Sequence, residues 1–491
     1  MDPPFNKVLV ANRGEIAVRV IRAAHEMGMD VVAVYSDADK ESLHVALADE
    51  AVRIGPPPPS ESYLSMDAVV EAALSTGAEA VHPGYGFLAE NPAFARALED
   101  VGLIFVGPPA SVQRRVGRKL DARRFFSAAG VPVVPGTLEP VSLSEAEEVA
   151  EEIGYPVVVK PAGGGGGIGM SIAWSPEDIK AAFERASAIA KSAFGDPEVY
   201  MERYFPKARH IEVQVVADSH GNVIHLFERE CSVQRRFQKV VEESPSPALD
   251  EDLREEVTGY AVKAAKAVGY VNAGTFEFLF DPGSERFYLL EVNSRIQVEH
   301  PVTEMITGVD LVKLQFLVAA GEKLPLSQGE VERRGHAFEA RIYAEDPLAG
   351  FAPSPGVIRR LREPSGPWVR VDSGVYEGYE VPQYYDPLLM KIIVWGRDRE
   401  EARLRMLRAL EETVVEGVRN NVAFHQLVFE DEAFAKGDLT TRFVEERRVV
   451  ERLRSFRARR RPLPWRSQRE VAKEAPKEVV DAWRLASRIG V

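Results

Sequence analysis

The first hundred residues alternate between short apolar runs and stretches of helical period. KVLVA, DVVAVYS, EAVRIG, AEAVH and LIFVG read as strands, while IAVRVIRAAHEMG and MDAVVEAALSTG carry apolar residues at helical spacing. That order predicts a doubly wound parallel sheet up to about residue 115. Beyond about 134 the pattern changes. A glycine-rich segment runs to about 205, bounded by GVPVVPGT and MERYFP. HIEVQVVAD then alternates residue by residue, and strands cease to be separated by helices, which predicts an α+β portion on antiparallel strands to about 447. The last stretch holds a basic, proline-broken run, RLRSFRARRRPLPWR. In EVVDAWRLASRIGV, Val479, Ala482, Trp483, Ala486 and Ile489 fall on one helical stripe, to be buried on the chain's own domain or on a partner.

Within the glycine-rich segment, VVVKPAGGGGGIGM admits two readings. Glycine runs are commonly flexible linkers. Here, however, Val157, Val158 and Val159 form a buried strand that Lys160 closes, and unencumbered backbone amides beside a lysine can wrap a polyphosphate. The nearest rivals lack their motifs. The first strand is followed by Gly14 alone instead of G-x-G-x-x-G, HPGYGF lacks a third glycine, and no G-x-x-x-x-G-K-[ST] occurs.

GTFEFLFDPGSERFYLLEVNSR predicts a hairpin, two alternating strands about a DPGSE turn. Counting outward places Glu277 opposite Glu291, with Asn293 on the face of Glu291. Opposed carboxylates repel; two acids and an amide so placed suit Mg²⁺ or Mn²⁺ shared with substrate phosphates. A one-residue slip would send one glutamate to solvent instead. Continuing the alternation puts Arg295, Gln297 and Glu299 on the same face, able to hold a small anion and take its proton. ERECSVQRRFQKVVEE has four cations from Arg229 to Lys239, usually a solvated face. Lys239 meets Val240 and Val241, which points its charge inward.

Composition narrows the function. The 491 residues suggest about three domains, and a net charge of −14 argues against nucleic acid or an anionic membrane as partner. The single cysteine, Cys231, excludes an intrachain disulfide and fits a reducing compartment. With no signal pattern and no long apolar run, a cytoplasmic location is expected. Cys231 lacks the partners of a nucleophile, and His82 and His210 suit hydrogen bonding better than metal ligation.

ANRGEIA, HPGYGFLAEN, KPAGGGGGIGM, CSVQRR with QKVVEE, GTFEFLF, EVNSRIQVEHPVTEM and EARIYAEDP together resemble biotin carboxylase, from about residue 5 to 447. The resemblance implies an ATP-grasp fold: an N-terminal Rossmann-like domain over 1–119, a linker helix and lid over 120–205, and an antiparallel core with a C-terminal domain over 206–447. A basic tail and amphipathic helix lie over 448–491. It implies ATP-dependent carboxylation of biotin by bicarbonate through carboxyphosphate. By resemblance, Lys119, Lys160, Gly166 and Gly167 hold the ATP phosphates, and Glu202, Arg203, Tyr204 and Phe205 take the adenine. His210 and Gln234 contact the nucleotide. Glu277, Glu291 and Asn293 match the metal ligands. Lys239, Arg295, Gln297 and Val298 match the bicarbonate pocket, Glu299 its general base, Arg341 the residue that stabilises the biotin enolate, and Tyr85 the biotin side.

Met390-Lys391 lies in an apolar strand without the second flanking methionine, so a separate carrier protein bearing biotin is implied, with a carboxyltransferase beyond it and a homodimer by family habit. The sequence departs from the family at Arg118, Ile168 and Phe237, where polar residues of different kind are usual around ATP. Three readings stay open: a catalytically active carboxylase chain, a weakly catalytic assembly or regulatory component, and an ATP-grasp ligase for another carboxylate.

Overall fold

The computed structural model describes residues 3–163, 169–456 and 458. The chain starts with β1 (Lys7–Val10), α1 (Gly14–Glu26), β2 (Asp30–Ser36), β3 (Glu50–Gly55), β4 (Ala80–His82) and β5 (Ile104–Phe105). These strands form one sheet of order β3-β2-β1-β4-β5, every pairing parallel, as the alternation of strand and helix predicts. The apolar stripe of α1 packs Ile16, Val20 and Ile21 against Val8, Val10 and Val31. Ile296, Leu311 and Phe316 join the same cluster, so this domain also braces the chain far downstream.

A three-stranded antiparallel sheet follows, with β6 (Val157–Pro161) between β7 (Ser171–Ala173) and β8 (Val199–Arg203). α2 (Ile179–Phe194) covers it, with Ile179, Ala182 and Ala186 against Val157 and Val159.

The largest sheet has eight antiparallel strands, and two of its hairpins carry the residues of interest. β9 (Arg209–Ala217) pairs with β10 (Val223–Arg235), which turns into β11 (Gln238–Ser244); α3 (Glu251–Val268) then leads to the hairpin of β12 (Asn272–Asp281) and β13 (Arg286–Asn293). After α4 (His300–Thr307) come β14 (His336–Tyr343), β15 (Val369–Ser373) and β16 (Leu388–Gly396), in the order β13-β12-β9-β10-β11-β14-β16-β15. Period-two alternation splits β9 and β12 into two faces. Ile211, Val213, Val215, Phe276 and Phe278 bury against Val257, Ala261 and Ala265 of α3; each such side chain contributes roughly 1.5–3 kcal/mol. His210, Glu212, Gln214, Thr275 and Glu277 therefore point the other way, where Arg229 joins Glu212, Gln214 and Thr275 to Thr303 of the helix that follows β13.

Two sequence expectations change here. The alternation past Asn293 does not continue as strand: β13 stops, and residues 294–299 run as coil and turn into α4. The Ser294 amide is taken by Glu90 (3.0 Å), which draws the chain off the sheet, and Pro301 begins the helix. The cationic run 229–239 is not a solvated face. It forms the β10–β11 hairpin, with Arg229 wholly buried. Gly166, Gly167, Ile168 and the helical stripe from 479 lie outside the described residues. Among the described residues no helix is long and apolar enough to cross a membrane.

Candidate active site

Three glutamates stand in one row across three strands. Glu212 pairs in register with Glu277, and Glu277 with Glu291. Like charges so opposed destabilise a sheet unless cations intervene, and here they do. Glu277 accepts from Lys239 Nζ (2.8 Å), Asn293 Nδ2 (2.8 Å) and Gln297 Nε2 (3.1 Å), and His210 Nε2 lies 3.1 Å away. Burial alone would raise the Glu277 carboxyl, but Lys239 and His210 outweigh it and hold the group well below the usual range. Glu291 is more open and faces Lys119 Nζ at 3.3 Å.

Lys239 is the hub. Its ammonium reaches Glu212 (2.5 Å), Glu277 (2.8 Å), Glu299 (2.7 Å) and Gln297 Oε1 (3.2 Å). Burial opposes its charge, yet three carboxylates hold it protonated far above the ordinary lysine range. Glu299, in the turn before α4, also accepts from Arg341 Nη2 on β14 (2.9 Å). Burial raises this carboxyl too, and Lys239, Arg341 and Arg229 override it, leaving Glu299 ionised far below the usual value. Arg295 is fixed by Glu90 (2.9 Å), its own neighbour's carbonyl at Ile296 (3.1 Å) and Asn293 Oδ1 (3.2 Å). The Val298 carbonyl accepts from the fully buried Lys391 (2.8 Å).

Two cavities meet at these residues. The larger, about 610 Å³, is lined by Lys119, Lys160, His210, Gln234, Lys239, Glu277, Glu291, Asn293, Gln297 and Glu299. The second, about 470 Å³, is lined by Tyr85 and the Gly14–Ile16 end of α1. Gln238, Arg295, Val298 and Arg341 belong to both walls. Tyr85 donates to Glu15, whose other oxygen lies 3.2 Å from Lys391 Nζ.

The segment 202–205 is not on either wall. Glu202 is buried between Lys160 (2.5 Å) and Arg123, the Arg203 and Tyr204 amides donate to Pro135 and Pro156 carbonyls (2.8 and 2.9 Å), and Phe205 stacks on Tyr288. Of the three departures, Arg118 pairs loosely with Asp121 (3.5 Å) on the surface, and Phe237 lines the larger cavity with its ring half exposed.

The larger cavity fits a hard divalent cation with a polyphosphate. Its acids, Glu277 and Glu291, are oxygen donors on the face of the sheet away from α3, and lysines line the same space. The Asn293 oxygen is turned to Arg295. Glu90, Glu212, Glu242, Glu339, Glu15 and Lys391 complete the surroundings. Sequence reasoning missed them because contacts from distant parts of the chain assemble them: Glu90 meets Arg295, Glu212 meets Arg229 and Glu277, Glu242 meets Arg341, and Glu15 meets Lys391.

Three family models match in succession: "Biotin carboxylase, N-terminal domain" over 4–112, "Carbamoyl-phosphate synthase L chain, ATP binding domain" over 118–327, and "Biotin carboxylase C-terminal domain" over 339–446. Biotin carboxylase 1 of Bacillus subtilis is 52% identical over 442 residues, 90% of this chain and 98% of that protein. A pyruvate carboxylase subunit of Methanothermobacter thermautotrophicus is 54% identical over 445 residues, 90% of each. Among solved structures, the biotin carboxylase domain dimer of Hydrogenobacter thermophilus 2-oxoglutarate carboxylase, in complex with MgADP, ADP and bicarbonate, has a TM-score of 0.88 at 47% identity. It covers 91% of this chain and 98% of that one. Biotin carboxylase from Campylobacter jejuni also reaches 0.88, at 44% identity, covering 90% and 99%. The order of the matched segments, their full-length relatives and the ATP-grasp arrangement of the sheets agree, and the chain belongs to the biotin carboxylase family.

Proposed function

We propose that this chain is an ATP-dependent ligase that carboxylates biotin with bicarbonate. The observation that carries this reading is the junction of the two cavities, where an ionised Glu299 is held between Lys239 and Arg341. Lys239, Arg295, Gln297 and the Val298 backbone bind bicarbonate, and Glu299 takes its proton. The bicarbonate oxygen then attacks the γ-phosphorus of ATP, whose bond to the ADP oxygen breaks to give carboxyphosphate. Lys119, Lys160, Gly166 and Gly167 hold the phosphates of the nucleotide, His210 and Gln234 contact it, and residues 202–205 take the adenine. When bound, Mg²⁺ or Mn²⁺ at Glu277 and Glu291, with Asn293 alongside, neutralises charge on the phosphate oxygens. Carboxyphosphate splits to CO₂ and phosphate, and the phosphate removes the biotin N–H proton. Arg341 stabilises the oxyanion of the biotin enolate while its nitrogen attacks CO₂; Tyr85 lines the biotin side.

Biotin arrives on a separate carrier protein, and a carboxyltransferase passes the group to an acyl-CoA or pyruvate. The chain acts as a homodimer in the cytoplasm, with functional segments at 1–119, 120–205 and 206–447. Relatives named as biotin carboxylases and as chains of larger carboxylases, at about half identity, support this reading.

Phosphate release from ATP tests it. Turnover is expected to need bicarbonate and to rise with free biotin. Turnover indifferent to biotin favours a ligase for another carboxylate, and none under any condition favours an assembly component without catalysis.

A further inference from the structure

Beside Arg341 lie two more glutamates. Glu242 on β11 and Glu339 on β14 are directly opposed in the antiparallel register, so their side chains leave one face of the sheet together. Both residues are wholly buried. None of their four carboxylate oxygens receives a hydrogen bond. Arg341 Nη2 approaches Glu242 Oε1 to 2.7 Å, an ion-pair contact without hydrogen-bond alignment, while it donates to Glu299; the Arg341 Nε–H is itself buried without an acceptor.

The surrounding charges do not balance two anions here. Glu242 is faced by Arg341 and Glu339 from β14, by Glu299 from the turn before α4, by Lys239 of its own strand and by Glu212 from β9. Glu339 is faced by Lys391 from β16, Arg341, Glu242 and Glu299. Lys239 is already shared by Glu212, Glu277 and Glu299, and Lys391 by Glu15 and the Val298 carbonyl. What remains for the pair is a share of one guanidinium. A second buried negative charge without a donor costs several kcal/mol, and two carboxylates in one site relieve this by keeping a proton.

We propose that Glu242 and Glu339 hold one proton between them and act as positioning residues for Arg341. This rests on the reading of Arg341 and Glu299 given above. The pair's single charge and that of Glu299 hold Arg341 together, both through Nη2. When Glu299 accepts the bicarbonate proton and its charge is lost, Arg341 still has one anionic partner and keeps its place in the shared wall of both cavities. Two charges on the pair would draw it out of that wall; none would commit it to Glu299. The direction of titration agrees: burial pushes Glu242 up to about 7 and Glu339 well above the usual carboxylate range, against the pull of Arg341 and Lys391.

Infrared spectroscopy of the full chain tests this at about pH 6.5, where ordinary carboxyls are ionised. The carbonyl stretch of a protonated carboxylic acid is expected in the native protein and absent from both E242Q and E339Q, because one amide leaves the other carboxylate as the lone charge. Kinetics give the second readout. Native kcat is expected to fall on the alkaline side as the shared proton leaves, and each single variant to lose that limb. The double variant E242Q/E339Q is expected to drop kcat by about 10²–10³ with the ATP KM unmoved. A native protein without the band, or a band that survives in both single variants, overturns the proposal. Should E242Q fail to fold for want of the contact with Arg341, E339Q alone decides, since Glu339 has no such contact to lose. The band does not depend on turnover, so a chain that shows it but ignores biotin would refute the proposed activity and not the shared proton.

Discussion

Lys239 shows how much one residue does here. Its ammonium is the common counter-ion of Glu212, Glu277 and Glu299, and it keeps the last of these ionised. Lys239→Met removes the cation and leaves three buried carboxylates facing one another. Breaking a buried pair in this way costs about 3–5 kcal/mol, readable by urea unfolding, and loss of the charge at a reacting anion costs about 10² or more in kcat. Bicarbonate-dependent ATP turnover within tenfold of the native protein would remove Lys239 from the chemistry. Lys239 was legible in the sequence because two valines follow a charge run, an odd place for a solvated lysine. Glu212, Glu242 and Glu339 were not. Glu212 and Glu339 occupy the polar phase of an alternating strand and Glu242 stands in a Glu-Glu pair, places where a glutamate ordinarily faces water, and only the pairing of β9, β11 and β14 with their neighbours buries them.

At the scale of elements the β12–β13 and β10–β11 hairpins differ in how openly the sequence declares them. The β12–β13 turn contains Asp-Pro-Gly-Ser, so its register, and with it the facing of Glu277 and Glu291, could be counted from the chain. The β10–β11 turn is Arg236-Phe237, both with positive φ (49° and 68°). Such a two-residue turn favours Asn-Gly, and nothing in RRFQ signals it; the strands on either side impose it. A side chain in the left-handed region costs about 1–2 kcal/mol, partly offset by the roughly 0.5–1 kcal/mol that glycine loses in chain entropy. The Phe237 ring is 54% exposed and gives up little packing. Phe237→Gly is therefore expected to stabilise the protein by about 0.5–1 kcal/mol in denaturant unfolding. A destabilised variant would mean the ring is held by contacts that outweigh its backbone strain. The break in alternation after Asn293 was equally hidden, because the partner that ends the strand, Glu90, is 204 residues away.

Over the whole molecule, buried charge sets how stability follows pH. His44 and His425 are buried neutral and His225 is half-buried, each held near 4 by loss of hydration, and buried His82 near 3. The unfolded chain binds protons at these sites first, so each removes up to about 1.4 kcal/mol per pH unit as pH falls from about 6.5. Glu242, Glu339 and Glu15 act oppositely: burial raises them, the folded chain binds protons before the unfolded one, and acid stabilises it until the unfolded groups protonate near 4.5. The two sets offset each other, and stability is expected to be nearly level between about pH 5 and 7. Below about 4.5 the raised acids contribute no further slope, and a third set takes over. Asp39 beside Arg13, Glu243 beside Arg399 and His336, and Asp372 beside Arg370 are each held near 2 despite burial. Their stabilisation is whole above the unfolded value and is lost as pH falls toward about 2, in the same direction as the histidines. Urea unfolding across this range should show a plateau and then a steep fall. Replacing both Glu242 and Glu339 by glutamine takes away most of the opposing term, so the double variant should slope downward already between about pH 7 and 5. A variant as level as the native protein would mean that the pair carries no proton into the folded state, and that the plateau has another origin.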